Sequence, residues 1–348
     1  MADLTTTVGG FVAANPVWVG SSELTMSWRG IVACAEAGAG AVVAKSINET
    51  QAARDQLAIA DYAWIGPDRR PGSPAREASL LNRSGLAQAT LEEWVAMLNS
   101  AEARAQAAGS AVIGSITVAS PEGAAQIAGR LWSVVEAVEL NVGAPHGREA
   151  PTGAVRQLTE ADAVRQTVDT VRRVSDQPLL VKLPGTASDI GELARAAADA
   201  GADAVTMMGR FNGFLPDVDT YQPVLGSWGA IGGPWCLPLS LFAISKAFRD
   251  PALDVPLVGT NGARSVDDVI RFLISGASAV EVVDLVWQEG PSVLRALIGG
   301  VREHLAERGE ASVSSIVGAA AVRSRTYAEI PPADHPPQPW LDRIPPAP

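Results

Sequence analysis

Residues 199–206 read Asp-Ala-Gly-Ala-Asp-Ala-Val-Thr, and this short stretch decides the fold. An alanine-rich amphipathic segment leads up to Gly201, which stands where a helix C-cap is expected, and a β-branched apolar run follows it. The stretch is therefore typical of a joint between a helix and a strand. Similar stretches recur around Gly38, Gly109 and Gly276.

The apolar runs after these glycines do not alternate with polar residues, which is the pattern of strands buried on both faces of a parallel sheet. Strand patterns lie near residues 15–19, 41–46, 111–116, 134–142, 178–183, 203–208, 255–259 and 279–284. Helical patterns lie near residues 23–37, 91–108, 121–132, 159–174, 188–200, 238–248, 265–275 and 291–307. This alternation predicts an α/β fold, a (β/α)8 TIM barrel. A doubly wound open sheet is the second choice, but no Gly-x-Gly-x-x-Gly follows a first strand.

We expect one barrel domain over residues 1–309 and a proline-rich C-terminal extension over residues 310–348, which packs on the barrel or on a partner. Two connections are long, residues 47–90 and residues 209–237. Because both follow strands, both should lie at the C-terminal face of the barrel, and long loops in compact domains usually serve function.

The composition limits the class of protein. A hydrophobic fraction of 47% and a charged fraction of 19% are typical of a globular chain. No apolar run approaches the ~20 residues that span a bilayer, and no secretory pattern begins the chain, so we expect a cytoplasmic protein. A net charge of −11 disfavours binding to nucleic acid. Cys34 and Cys236 are too few and too far apart for a zinc site, and we expect no metal.

Lysine is rare in this chain, where Lys45, Lys182 and Lys246 are the three lysines among 27 basic residues. Lys45 and Lys182 each end an apolar run that predicts a strand, and barrel active sites are built at the C-terminal ends of strands. The polar residues expected there are Lys45, Ser46, Asn82, Asn141, His146, Arg148, Lys182, Arg210, Asn261 and Asp284. Two lysines and two asparagines at one mouth suit an electron-rich, planar ligand that carries carbonyl groups.

Several short segments form an ordered pattern along the chain. They are Asn15-Pro16 with Gly20-Ser21-Ser22; Val43-Ala-Lys45-Ser46-Ile; Asn82-x-x-Gly85-Leu86; Glu139-Leu-Asn141-Val-x-x-Pro145-His146-Gly147; Val181-Lys182-Leu-Pro184; Gly232-Gly233; Pro256-Leu-Val-Gly259-Thr-Asn-Gly262; and Gly276-Ala-Ser-Ala-Val-Glu-Val. Each is weak alone, but their order and spacing are specific. From Asn15 to Ala319 the chain resembles the class 1 dihydroorotate dehydrogenases and the related pyrimidine-binding domain of dihydropyrimidine dehydrogenase.

The resemblance implies a homodimeric enzyme that holds FMN across the barrel mouth and oxidises or reduces a small molecule. The residues that match the FMN site are Gly20, Ser21, Lys45, Ser46, Asn141, Lys182, Gly232, Gly233, Gly259, Asn261 and Gly262, with amides of the glycine turn on the phosphate. The residues that match the substrate site are Asn82, Gly85, Leu86, Asn141, His146, Arg148 and Arg210. Lys45, Lys182 and His146 are the candidate catalytic residues. A lysine beside the flavin pyrimidine ring suits the anionic reduced flavin.

The chain departs from the family pattern at the residues that move protons and bind phosphate. The catalytic cysteine of the family falls at Ala144, which cannot transfer a proton. An asparagine that grips the pyrimidine falls at Gly209, and the Gly-Thr pair beside the phosphate falls at Val283-Asp284. Because a carboxylate repels a phosphate, Asp284 argues against FMN.

Three functions remain open from the sequence. The first is a flavin-dependent oxidoreductase that acts on a substrate other than dihydroorotate. The second is a barrel enzyme that has lost FMN and uses Lys45 or Lys182 in lyase or isomerase chemistry, for example through an imine. The third is a non-catalytic homologue that binds a ligand.

Several single residues have more than one interpretation. His146 could replace the missing base or only position the substrate. Arg148 and Arg210 could bind a carboxylate or a phosphate, or be solvated. We expect Cys236 to fill apolar space. Trp228 and Trp235 are possible walls of the pocket, whereas Trp18 is expected in the core.

Overall fold

The computed structural model describes residues 2–144 and 155–335, together with residues 337, 338 and 343. Eight parallel strands close into one barrel in chain order. They are Val17–Val19 (β1), Val42–Val43 (β2), Val112–Thr117 (β3), Ala137–Asn141 (β4), Leu179–Lys182 (β5), Ala204–Met207 (β6), Leu257–Thr260 (β7) and Ala277–Val282 (β8). Pairing of β8 with β1, through Val280 and Val17, closes the ring. The predicted (β/α)8 barrel is confirmed.

Each strand is followed by a helix on the outside of the barrel. These helices are Trp28–Glu36 (α1), Leu91–Ala107 (α2), Pro121–Leu131 (α3), Ala161–Arg172 (α4), Ile190–Asp199 (α5), Leu237–Phe248 (α6), Val266–Ser275 (α7) and Val293–Glu307 (α8). Two short helices that the sequence did not predict cover Gln51–Asp55 and Asp284–Glu289.

The glycines at the helix-to-strand joints adopt the left-handed backbone that a C-cap requires. Their φ angles are +100° at Gly38, +75° at Gly109, +100° at Gly201 and +119° at Gly276. At Gly276 a side chain would also lie 2.4 Å from Phe248, so both the backbone and the packing exclude other residues. The sequence prediction of these four joints is therefore confirmed.

An N-terminal hairpin closes the bottom of the barrel. Its strands are Thr6–Val8 and Phe11–Ala13. Phe11 packs edge-on against Trp18 with ring centroids 5.6 Å apart, and both are buried in one cluster with the inward-facing residues of the barrel. Trp18 thus has the core position expected of it. Strands of three residues carry too little periodicity to be predicted from the sequence.

The two long connections pair with each other in one antiparallel sheet at the barrel mouth, which we call the mouth sheet. Its strands, in spatial order, are Phe211–Gly213, Gly229–Gly232, Ser79–Arg83, Asp61–Ile65 and Pro71–Gly72. Ala230 of the second connection pairs with Asn82 of the first. Strand pairing in the mouth sheet therefore fixes the position of Asn82, whereas an unpaired loop would leave that position variable.

The C-terminal extension contacts the barrel at the end opposite the mouth. The amides of Gly318 and Ala320 donate to the carbonyls of Leu273 and Ile274 at the end of α7. Val313, Ile316 and Ala321 are buried. The boundary at residues 309 and 310 stays a prediction. Among the described residues, no helix has the length and apolar character needed to cross a bilayer.

Candidate functional site

A cavity opens at the C-terminal ends of the barrel strands, beneath the mouth sheet. Counted out to its open mouth, it measures about 1170 Å³, which is large for a small-molecule site. The predicted site residues that line it are Ser21, Lys45, Ser46, Asn82, Leu86, Asn141, Lys182, Arg210, Gly232, Asn261 and Gly262. The structure therefore brings together residues from both long connections and from six of the predicted strand ends.

Other predicted site residues do not line this cavity. Gly20, Gly85, Gly233 and Gly259 are absent from its wall. Gly259 faces α7, where a side chain would lie 2.2 Å from the ring of Phe272. A side chain at Gly20, Gly85 or Gly233 would also lie within 2.7 Å of a neighbour, so these positions need glycine for packing, and their predicted role in binding stays a prediction. His146 and Arg148 lie outside the described residues.

The aromatic wall of the cavity is not the one that the sequence indicated. Trp228 and Trp235 are exposed and do not line the cavity. Trp287, from the short helix after β8, lines it instead and packs edge-on against Tyr62 with ring centroids 5.2 Å apart. Closure of the barrel places this helix beside the first long connection. Because Tyr62 and Trp287 lie far apart along the chain, the sequence did not reveal their contact.

Lys182 lies on the cavity floor between two buried carboxyl groups. Its Nζ donates a short hydrogen bond to Glu281 and lies 3.8 Å from Glu139 Oε1. Both glutamates lie inside the barrel, on β8 and β4, and their side chains have no exposed surface. Thr206 donates to Glu139 Oε2 at 3.1 Å. The lysine therefore has an acidic environment that its own sequence neighbours do not show.

Burial and the charge of Glu281 raise the pKa of Glu139 to about 8, although Lys182 opposes this shift. Burial disfavours the charge of Lys182, but Glu139 and Glu281 outweigh it and raise the pKa of the lysine. At neutral pH the raised pKa values therefore favour a protonated Glu139 and a charged Lys182. Glu281 also lines the cavity, and within the described part of the chain the protonated Glu139 carboxyl is the group that can donate to its buried Oε1. A ligand N–H can add a second donor.

Lys45 forms a second ion pair at the same floor. Its Nζ lies 3.1 Å from Glu23 Oε1, which also accepts a hydrogen bond of 2.7 Å from the Tyr62 hydroxyl. A turn closed by Ser22 and Thr25 holds Glu23 in place. Burial lowers the pKa of Lys45 more than Glu23 raises it. Burial opposes the charge of Glu23, yet Lys45 and Tyr62 keep its pKa below the ordinary value, so Glu23 is a carboxylate at neutral pH.

Arg210 reaches across the cavity mouth. Its guanidinium donates a short hydrogen bond to Asn82 Oδ1 and one of 3.2 Å to Ser84 Oγ. Asn82 is a predicted substrate-binding residue, and its side-chain oxygen already accepts a hydrogen bond from this arginine. The position that carries Arg210 follows Gly209, where the sequence departs from the family pattern.

At the far end of the cavity, Asp284 pairs with an arginine that the sequence analysis missed. Arg264 Nη2 lies 2.7 Å from Asp284 Oδ2 and also donates to the carbonyl of Ala78. Burial raises the pKa of Asp284, and Arg264 opposes that shift. The sequence could have indicated Arg264, because it lies two residues after Gly262 in the glycine turn that was expected to hold phosphate.

The position of the missing base is apolar. Ala144 lines the cavity and packs with Ala53, Leu86 and Val155 in a small hydrophobic cluster. Cys236 does not replace the base, because it is buried and burial raises the pKa of its thiol to about 12. Its expected role as a filler of apolar space stays a prediction.

Sequence reasoning did not select several functional candidates at this site. Glu23, Glu281 and Trp287 line the cavity, and Tyr62, Glu139 and Arg264 contact residues that line it. Besides Arg264, the two buried glutamates carried a usable signal, and Glu139 is a single charge inside the buried apolar run of β4. Glu281 is a single charge inside the buried apolar run of β8, and a charge in such a strand is rare unless it is paired. The partner itself could not be found, because Lys182 lies 99 positions away along the chain.

Comparison with known proteins agrees with this architecture. The family model described as dihydroorotate dehydrogenase matches residues 5–305. The catalytic subunit of dihydroorotate dehydrogenase B (NAD(+)) from Pyrococcus abyssi is 31% identical over 309 residues, which cover 88% of this chain and 95% of the relative. The subunit of the same name from Pyrococcus furiosus is 30% identical over 89% of this chain and 96% of its own. The one from Pelobacter propionicus is 32% identical over 72% and 82%.

Proposed function

This chain belongs to the dihydroorotate dehydrogenase family, and from that premise we propose that it is a flavin-dependent oxidoreductase acting on a small cyclic or carbonyl-bearing substrate other than dihydroorotate. One observation carries the proposal. The cavity keeps Lys45, Lys182 and Asn141 at its floor, whereas Ala144 stands where the family has its base. The ring-binding half of the site is thus retained while the proton-transfer half is changed.

The donors and acceptors at the floor support a flavin ring. Lys45, Ser46 and Asn141 offer donors to ring carbonyls and nitrogens, and the Glu281 carboxylate, which lines the cavity, offers an acceptor to a ring N–H. FMN is the flavin that the family resemblance implies, and a bound flavin would supply the hydride chemistry. The phosphate end of FMN does not fit as well, because the Asp284 carboxylate lines the cavity there.

Dihydroorotate fits this site poorly. Alanine at position 144 cannot remove a proton from the dihydropyrimidine ring. Gly209 has no side chain to grip the substrate, and Asn82 already accepts a hydrogen bond from Arg210. We therefore propose a related substrate whose polar groups pair with Arg210 and Lys45.

Glu23 supports a role in proton transfer. Its Oε1 is held by Lys45 and Tyr62, but no described residue donates to Oε2. A carboxylate with one free oxygen in a cavity can accept a substrate proton. His146, outside the described residues, stays the second candidate for this role.

A second function has one observation in its favour. If the barrel has lost its flavin, imine chemistry needs a neutral amine, and burial lowers the pKa of Lys45 whereas two carboxyl groups raise that of Lys182. Reduction with borohydride in the presence of carbonyl compounds should then add mass at Lys45 and not at Lys182. No added mass at Lys45 would count against this alternative.

The absorption spectrum of the purified protein tests the main proposal. We expect a yellow protein with a flavin spectrum, which dithionite bleaches and dihydroorotate leaves unchanged. A colourless protein that gains no visible absorption with added FMN or riboflavin would contradict flavin dependence. Rapid bleaching by dihydroorotate would contradict the altered substrate. A homodimer without nucleic acid also stays a proposal, which sedimentation equilibrium can test.

A further inference from the structure

We propose that the Arg264–Asp284 ion pair fills the phosphate subsite of this barrel, so that the cavity prefers a flavin whose side chain ends in a hydroxyl group over one that ends in a phosphate. This inference rests on the proposed flavin dependence and names the form of flavin that the site takes. Its probes are riboflavin and FMN, which share the ring and differ in the terminal group.

The place of the ion pair carries the first step. In (β/α)8 barrels the phosphate site is commonly formed by the loops after strands 7 and 8 and the start of a short extra helix. Here Arg264 follows the glycine turn after β7, and Asp284 begins the short helix after β8. Gly262, Ala263 and Asp284 line the same cavity as Lys182.

The Asp284 carboxylate already takes the donors that a phosphate would need. Its Oδ2 accepts from Arg264 Nη2 at 2.7 Å, and its Oδ1 accepts from the backbone amide of Leu285 at 3.1 Å. Backbone amides at a helix start and an arginine are typical phosphate ligands. The carboxylate is therefore an internal substitute for a bound anion.

Arg264 is not free to leave Asp284 for a phosphate. The same Nη2 donates to the carbonyl of Ala78 at 2.7 Å, and Nη1 donates to Gln288. The arginine side chain is 4% exposed. Contacts with the first long connection and with the short helix thus fix the guanidinium where it neutralises Asp284.

The charges at this end disfavour a phosphate. A phosphate monoester carries about −1.5 to −2 charges at neutral pH. The Asp284 carboxylate would repel it, and the charge of Arg264 is already paired with Asp284. Asp268, in the first turn of α7, accepts from the backbone amide of Arg264, so that amide is not available to a phosphate. A terminal hydroxyl carries no charge and can donate to Asp284, so it is tolerated at this position.

The test is a titration of flavin-free protein with riboflavin and with FMN, followed by quenching of flavin fluorescence. For the wild type we expect riboflavin to bind about tenfold or more tightly than FMN. Asp284→Asn removes the negative charge and keeps the shape, so the Kd for FMN should fall by about tenfold while that for riboflavin stays within about threefold. Inorganic phosphate should compete with FMN in the variant.

Asp267→Asn is the matched control, because Asp267 lies in the same region with its side chain 77% exposed. It should leave the ratio of the two dissociation constants unchanged. Tighter binding of FMN than of riboflavin by the wild type would overturn the inference and leave the proposed function standing. The comparison of the two wild-type dissociation constants needs no variant, so it tests the inference even if Asp284→Asn does not fold. Binding of neither flavin would contradict the proposed function and this inference with it.

Discussion

At the scale of single residues, carboxyl groups offset the positive charges of the cavity floor. Lys182 contacts Glu281 and Glu139, and Lys45 contacts Glu23. The two lysines thus face three carboxyl groups, and Glu139 has its pKa raised to about 8. An environment of this kind favours a neutral planar ligand with both donors and acceptors over a strongly anionic one.

The first prediction concerns the pH dependence of stability. The pKa of Glu139 is raised from 4.5 to about 8, so its contribution to the free energy of unfolding is full at low pH and is lost as the pH rises through that window. Glu281→Gln removes the neighbouring charge and lowers the pKa of Glu139. The stability of this variant should therefore fall less steeply over the same window, as measured by urea unfolding.

Glu303→Gln serves as the control, because Glu303 is exposed on α8. It should reproduce the wild-type slope. Equal slopes for the wild type and Glu281→Gln would show that Glu139 titrates independently of Glu281.

The two lysines should differ in their effect on stability. Lys182→Met leaves Glu281 buried without its partner and should lower the free energy of unfolding by about 3–5 kcal/mol. Lys45→Met should cost less than Lys182→Met, because Glu23 keeps the hydrogen bond from the Tyr62 hydroxyl and its side chain is 16% exposed. Chemical denaturation measures both, and Lys182→Met combined with Glu281→Gln should recover part of the loss. Equal losses for the two lysines would contradict this account.

Glu23→Gln tests proton transfer. With any substrate that reduces the flavin of the wild type, the variant should react about 100-fold more slowly or worse, while its affinity for the flavin stays the same. Stopped-flow measurement of flavin bleaching reports the rate. Tyr62→Phe removes one donor from Glu23 and should have a smaller effect. An unchanged rate in Glu23→Gln would leave His146 as the candidate.

At the scale of elements, tight turns and the mouth sheet place the side chains that the strands do not carry. Glu23 belongs to a turn that packs on α1, and α1 approaches it through Gly30. Asn82 is held by strand pairing with Ala230. The site therefore depends on contacts between elements that have no direct part in the chemistry.

Gly30→Ala should disturb the turn that carries Glu23. A side chain at this position would lie 1.7 Å from the carbonyl oxygen of Leu24, so α1 and the turn must separate. We expect lower stability and weaker flavin binding, measured by thermal unfolding and fluorescence titration. Gly299→Ala is the control, because a side chain there meets nothing within 4 Å in α8. It should raise stability by roughly 0.5–1 kcal/mol and leave flavin binding unchanged.

At the scale of the whole molecule, the two ends of the barrel have different tasks. The mouth carries the cavity and the paired charges, whereas the other end carries the N-terminal hairpin and the C-terminal extension. This division is general in (β/α)8 barrels, where the bottom face serves stability. Changes at the bottom should therefore alter stability without altering binding.

Truncation tests that division. A chain ending at residue 309 loses the buried side chains of Val313, Ile316 and Ala321, so its free energy of unfolding should fall. A chain ending at residue 330 loses described residues that are exposed, 331–335, 337, 338 and 343, and should match the full chain in urea unfolding. Both should bind flavin normally once folded. Equal stability of the two truncated chains would show that the extension adds nothing to the barrel.

The sequence alone determined the barrel, its strands and helices, and several polar residues at the mouth. These features follow from local patterns, since the C-cap glycines and apolar runs act within a few residues. Lys45, Ser46, Asn141 and Lys182 were predicted for the same reason, because each ends a strand. The N-terminal hairpin and the mouth sheet were not predicted, because short strands are specified by their partners.

Only the tertiary structure decided how the charges of the site are paired. Lys182 and Glu281 are 99 positions apart, and Arg210 and Asn82 are 128 apart. Closure of the barrel and pairing of the two long connections bring these groups together, and their protonation depends on that burial and proximity. The sequence thus identified the lysines of the mouth, and the fold determined that carboxylates already neutralise them.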